Sequence, residues 1–272
     1  MLKTVLLHLL LILLVFTPSS QAQDNSPIED DYENPTSDWR FIISPYAWLA
    51  GQATDVGGEK IRQSFNDLFS LTNTGFQLNT TIMYKKWIFL ADGTYANLGS
   101  NIEQGLLTID LDIQQYILDL KLGYLVLSDI EKDDVESVIR GWALEVNAGG
   151  KYWQNDVTVS YKIEIGRPPF VEGGFTEPQA WWDLMVGLKA RFILSRSVLL
   201  SVAANGGGFG MGNSSKFSYD FSYLNTFKVS NLISVTAGYR TFRYKREDGE
   251  GDDLLETKVS AFGPLLGVSF VF

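Results

Sequence analysis

Seven acids and six bases of this 272-residue chain fall at alternate positions within apolar stretches. The acids are Asp92, Asp110, Asp112, Asp119, Glu145, Asp183 and Asp220. The bases are Arg40, Lys121, Lys151, Lys189, Arg191 and Arg240. Two carboxylates at the right separation can hydrolyse a glycosidic bond, one as acid and one as base or nucleophile. Asp110, Asp112 and Asp119 on one stretch, with Glu145 on the next, are the candidates for such a pair. The nearly equal number of cations argues for something else. A charge survives burial only when it is paired, so one enclosed set of ion pairs is the stronger expectation. Asp92, Asp183, Arg191, Asp220 and Arg240 are its candidate members, with Asp183 and Arg240 expected to meet Asp92 or Asp220. No catalytic, cofactor-binding or metal-ligating residue is assigned.

The residues that are missing sharpen this. The single His is His8, in the apolar N-terminal segment, and there is no Cys. A Ser–His or Cys–His nucleophile cannot be built, and neither can a His/Cys zinc site. The expectation is a chain that is not an enzyme and needs no cofactor. Arg246–Glu256 collects Asp248, Glu250, Asp252, Asp253 and Glu256. These oxygens lack the order of a calcium-binding loop and read as a solvated loop. Gly206–Gly212 has no following Lys-Ser/Thr and is no phosphate loop. With 22 basic and 32 acidic residues the formal charge is −10, which argues against nucleic acid as a partner.

The elements that must position these charges are strands. In Lys258–Phe272, Phe262, Pro264, Leu266, Val268, Phe270 and Phe272 share one face, opposite the small face of Ala261, Gly263, Leu265, Gly267 and Ser269. Similar stretches are Trp39–Gly51, Gly75–Tyr84, Trp87–Asn97, Leu106–Leu127, Ile139–Trp153, Trp181–Leu194, Val198–Gly210, Lys216–Phe227 and Leu232–Tyr244. Upstream lie a signal peptide, 1–22, with a basic start, a short apolar run and Ser20-Gln21-Ala22, and an acidic leader, 23–38. The apolar run is shorter than the ~20 residues a membrane helix needs. A membrane chain without such a helix must close into a barrel. The fold expected for 39–272 is therefore all-β: a transmembrane, antiparallel, up-and-down barrel of about ten strands, with eight or twelve as alternatives.

Several details follow. Tight turns and long loops alternate, with one helical turn at Ser64–Phe69 and a long loop at 154–177, whose Val157–Ile163 part alternates and is a candidate to extend the hairpin above the membrane. The acidic connection Ser128–Ser137 is long for its side. The apolar face of Leu106–Leu127 slips at Gln114-Gln115, which suggests a bulge. Tyr84, Trp87, Trp142 and Phe272 should form one aromatic belt, and Tyr95, Tyr152, Trp182 and Phe217 the other. Pro45 and Pro264 sit in the first and last strands, and a proline removes a ladder donor. The closing seam should therefore be the least bonded pair. A soluble barrel would require the aromatic face to lie inside.

Pro45-Tyr46-Ala47-Trp48-Leu49, Leu90-Ala91-Asp92-Gly93, Trp182-Asp183 with Gly187, Gly207-Gly208-Phe209-Gly210, Gly238-Tyr239-Arg240 and Gly263-Pro264-Leu265-Leu266-Gly267 resemble a family of Gram-negative outer-membrane barrel proteins with no established activity. Ala50 stands where that family often has proline. The terminal aromatic strand is similar to the signal read by outer-membrane assembly machinery. The resemblance implies an exported, outer-membrane barrel, with membrane lipids, lipopolysaccharide and that machinery as partners. The expected role is structural or surface interaction around a filled polar lumen. A narrow solute channel is the alternative; small barrels fill with side chains, which favours the filled lumen.

Overall fold

A computed structural model describes residues 39–104, 106–133, 138–163, 171–249 and 254–272. The signal peptide and the acidic leader lie outside the described residues. Twelve strands and one helix follow in chain order: β1 Trp39–Trp48, β2 Gly51–Val56, β3 Glu59–Gln63, α1 Phe65–Leu71, β4 Thr72–Tyr84, β5 Trp87–Gln104, β6 Leu107–Asp133, β7 Val138–Ile163, β8 Val171–Ser195, β9 Val198–Gly207, β10 Phe217–Lys228, β11 Ile233–Asp248 and β12 Leu255–Val271. All but β2 and β3 form an antiparallel barrel of ten strands, closed by β1 against β12. The β2–β3 hairpin is attached to β12 beyond β1.

Alternation decides which side meets what. On β8, Leu184 and Leu188 are 48% and 53% exposed, while Asp183 and Met185, on either side of Leu184, are fully buried. Tyr239 and Phe270 also face outward, at 43% and 38%. Apolar side chains thus clothe the outside and charged ones fill the inside, as lipid surroundings require. A soluble barrel would reverse this. The expected aromatic belts are in place. Trp39 and Tyr84 rings lie 4.5 Å apart and Trp87 and Tyr124 4.8 Å apart at the end that carries Trp39 and Phe272. Toward the other end, Tyr95 and Tyr116 lie 4.8 Å apart and Tyr152 and Trp182 5.1 Å apart. We call these the turn end and the loop end.

The proline seam is an interrupted ladder, continued by backbone hydrogen bonds between Phe41 and Phe272 and from Leu49 N to Pro264 O. β1 meets β12 at Ile42, Ile43, Tyr46, Ala47 and Trp48 and skips Ser44 and Pro45. Ser44 Oγ donates to Ser269 Oγ at 2.8 Å across that gap.

Three expectations need correction. The first concerns Gln114-Gln115: both ladders of β6 run through it without a shift. The bulge of β6 lies at Leu125/Leu127, near the turn end, and it turns Leu127 outward. The second concerns loop lengths. Residues 154–163 and 171–177 are strand, so β7 and β8 pair from Ile163↔Val171 downward; Pro168 and Pro169 lie outside the described residues. The connection 128–137 likewise continues the β6–β7 ladder to Asp133↔Val138. Third, the loop after β1 contains a hairpin, β2–β3, besides the helical turn expected at Ser64–Phe69, which is α1. Helix α1 starts where Ser64 and Asp67 form a capping box, which satisfies two otherwise orphan N–H groups.

Candidate functional site

Parity along β5 to β11 brings the interior charges together. Arg240 on β11 lies between two acids: Nη1 is 3.1 Å from Asp92 on β5 and Nη2 is 3.0 Å from Asp220 on β10. Tyr46 of β1 joins them, donating to Asp92 at 3.0 Å and accepting from Arg240 Nη1 at 3.0 Å. Lys151 on β7 reaches Asp220 at 3.1 Å and Asp119 at 3.4 Å. Lys121 holds Asp119 at 2.8 Å, and Arg191 holds Glu145 at 2.8 Å. Gly123 leaves the space that Glu145 occupies, where any Cβ would collide with its carboxylate.

Asp183 behaves differently from the expectation. Among the described residues it bridges no cation. Its carboxylate accepts from Ser215 N at 2.7 Å, Ser215 Oγ at 2.8 Å and Trp153 Nε1 at 3.1 Å. It anchors the connection between β9 and β10, which turns through positive φ at Gly208, Phe209, Gly210 and Gly212 and buries Ser215 completely. Its cross-strand neighbour Lys151 is drawn instead to Asp119 and Asp220.

Asp110 and Asp112 are not inside. With no bulge to change parity, they share the outer face with Leu118, and Asp119 alone of the three acids lies inside. Asn101 donates to Asp110 at 2.6 Å, and Asn97 donates to Asp112 at 3.0 and 3.2 Å. The interior partners Asp119 and Glu145 each hold a cation. The acid pair required for glycoside chemistry is therefore not assembled from these four.

A second layer crosses the lumen on the loop-end side of the charges. Trp153, Trp181, Phe242 and Tyr244 are buried together with Ile117, Val259 and Ala261. Trp153 stacks on Trp181 at 5.9 Å and meets Phe242 and Tyr244 at 5.1 and 5.0 Å. Trp48 approaches Phe242 at 5.4 Å and donates its Nε1–H to the carbonyls of Arg240 and Gly263, both at 3.2 Å. The Arg246 guanidinium lies 4.4 Å over the Trp181 ring. Sequence reasoning overlooked this layer, although Trp153 and Trp181 have the inward parity of Lys151 and Asp183.

On the turn-end side of the charged layer lies a cavity of about 300 Å³. It is lined by Asp92, Asp119, Asp220 and Arg240 at its head and reaches Arg40, Met83, Lys228 and Val271 near the strand ends.

Outside the membrane, Lys245 and Lys258 both engage Glu256, and Lys245 is 3.2 Å from Glu247. Hydrogen bonds from Lys245 and then Lys258 hold the Glu256 carboxyl below its usual range. Asp248 is bound by Arg246 at 2.6 Å, whereas Glu250, Asp252 and Asp253 lie outside the described residues.

The architecture is that of a bacterial outer-membrane β-barrel. No family model and no curated protein matches the chain. Among solved structures, the chain is similar to the outer membrane protease OmpT of Escherichia coli, with 12% identity, a TM-score of 0.50 and coverage of 87% of this chain and 98% of that one. It also matches Ail, the attachment invasion locus protein of Yersinia pestis, in complex with a heparin analogue, at 12% identity and a TM-score of 0.37, covering 86% and 98% of the two chains. OprG of Pseudomonas aeruginosa matches at 14% identity and a TM-score of 0.33, covering 89% and 98%. The OmpT likeness overturns one expectation. A protease shares this fold, so the barrel gives no ground for calling the chain a non-enzyme, and that reading is withdrawn.

Proposed function

We propose that this chain resides in the outer membrane as a barrel closed to conduction and works through the wall it raises beyond the loop-end belt. The observation that carries this is the double seal across the lumen. An aromatic layer of Trp48, Trp153, Trp181, Phe242 and Tyr244 sits on a layer of ion pairs centred on Arg240. A layer of packed rings over linked ion pairs is stiff, because the rings, Arg240 and Lys151 each hold more than one neighbour.

The second support is length. About 9–11 residues of tilted strand cross a bilayer, whereas β6, β7 and β8 contain 27, 26 and 25. With the turn end in the periplasm, the parts beyond the loop-end belt, 107–115 on β6, 153–163 on β7 and 171–181 on β8, stand outside the cell, while the β6–β7 ladder also extends at the turn end. The outer face there is polar: Asn97, Asn101, Asp110, Asp112, Thr158 and Thr176. Lipids and lipopolysaccharide surround the barrel below, and the wall is the surface offered to partners.

Planar-bilayer recording tests this. The purified full chain should give no stable unitary steps. Alanine in place of both Trp153 and Trp181 should introduce them. Steady single-channel conductance in the unaltered protein would sink the reading in favour of a narrow solute channel.

A further inference from the structure

The cavity below the seal has a charge imbalance that the sequence conceals. Read along the strands, six inward cations face seven inward acids. The structure moves Asp110 and Asp112 to the outer face and commits Asp183 to Ser215. Around the head of the cavity five cations then share four carboxylates. Arg240 takes Asp92 and Asp220, Lys151 takes Asp220 and Asp119, Lys121 takes Asp119, and Arg191 takes Glu145. Lys189 remains. It lines the cavity and stands opposite Glu145 across the β7–β8 ladder, but Arg191 already holds that carboxylate. Among the described residues no ion pair forms at Lys189. Its charged neighbours are Arg191, Glu145 and Lys121, two of them of its own sign.

A half-buried cation whose nearest carboxylate is already held by another cation gains from an added anion. The space beside it can take one. A volume of about 300 Å³ is at the small end of ligand pockets, ~300–1,000 Å³. The wall below is mixed: Ile42, Ile88, Leu90, Leu224 and Leu265 supply apolar surface among hydroxyls such as those of Thr81 and Thr226. The seal above makes this a blind pocket, entered from the turn end.

We propose that this pocket binds a small amphipathic monoanion. Its carboxylate lies between Lys189, Lys121 and Arg191, and its short apolar tail lies along the lower wall. Five cations then face five anionic groups. The site does not depend on the wall outside the membrane or on what that wall touches.

The test uses the full chain in lipid nanodiscs with octanoate carrying a ¹³C carboxyl, and octanol as the neutral probe of equal length. One saturable octanoate site per barrel is expected, with a shifted carboxyl resonance and no saturable site for octanol. Lys189→Met should weaken octanoate at least tenfold, and Lys189→Arg should retain it. Circular dichroism and heat-modifiable gel migration report whether each variant is folded. Equal binding by folded Lys189→Met and the unaltered chain would overturn the proposal. Saturable octanol, or no octanoate site in the unaltered chain, would do so even if the Met variant failed to fold. Inorganic phosphate competing as well as octanoate would remove the apolar half. Conductance tests the seal independently, so the two readings can fail separately.

Discussion

The lower and upper halves of β6 obey one geometry and opposite chemistries. In the lower half, odd residues Asp119 and Lys121 point inward and even residues Leu118 and Leu122 point outward. In the upper half the parity is unchanged, yet Ile109, Leu111 and Ile113 are inside and Asp110 and Asp112 outside. β7 does the same, with Lys151 inside below and Val157 and Val159 inside above, paired with Ile113 and Leu111. A strand fixes only that neighbours point apart. The medium outside decides which set is polar. Lipid surrounds the lower half, so polar groups must turn in. Water surrounds the upper half, so they turn out.

This contrast predicts a ranking of substitutions. The largest effect is expected inside the lower half. Arg240→Ala strands Asp92 and Asp220 in the lumen, and breaking a buried pair typically costs ~3–5 kcal/mol. Urea titration of folding into lipid vesicles should show that loss. A cost below ~1 kcal/mol would mean water reaches the two acids freely, since exposed pairs are worth about that or less.

Next comes the lipid face. Leu188→Arg places a cation in the apolar band, at a cost of ~2–4 kcal/mol near the midplane. The same vesicle assay reads it. Stability equal to the unaltered chain would place β8 higher than the aromatic belts indicate.

The matching change in the upper half should be nearly silent. Asp112 accepts only amide hydrogen bonds, from Asn97 at 3.0 and 3.2 Å and Gln114 at 3.4 Å. Asp112→Asn should shift stability by no more than ~0.5 kcal/mol, as surface changes do. A loss as large as that of Arg240→Ala would put Asp112 back inside the lumen and end the comparison.

The smallest effect is local and depends on pH. Hydrogen bonds from Ser64 hold the Asp67 carboxyl below its ordinary value of 3.8. A depressed carboxylate contributes stability above its unfolded value, and the contribution disappears as pH falls through the folded one. Measured against the intrinsic exchange rate at each pH, the protection of the α1 amides should therefore be constant from neutrality down to about pH 4 and fall below it. Ser64→Ala should raise exchange at neutral pH and flatten the acid response. An unchanged profile in that variant would show that the cap does not hold the helix.

Much of this was legible before any coordinates. The sidedness of the lower strands and the two aromatic belts follow from residues adjacent in sequence or facing across a short turn, and the interrupted proline seam follows from barrel closure, which makes the first and last strands neighbours. The misplacement of Asp110 and Asp112 has an instructive cause. Keeping Ile109, Leu111 and Ile113 on the lipid side required an invented slip at Gln114-Gln115, because lipid was assumed along the entire strand. Asp183 was misjudged for another reason. Its partner Ser215 lies 32 positions away, on a loop whose glycines gave no sign of folding inward.

Alternation and composition by themselves determined that this chain forms an antiparallel barrel with a greasy exterior and a charged interior. That much is local, since it depends on which way each side chain leaves its own strand. Only the tertiary structure decided where the membrane stops along each strand, which carboxylate each cation takes and that Lys189 is left over. Those outcomes depend on distances between strands far apart in sequence and on which stretches meet water, and no periodicity encodes either.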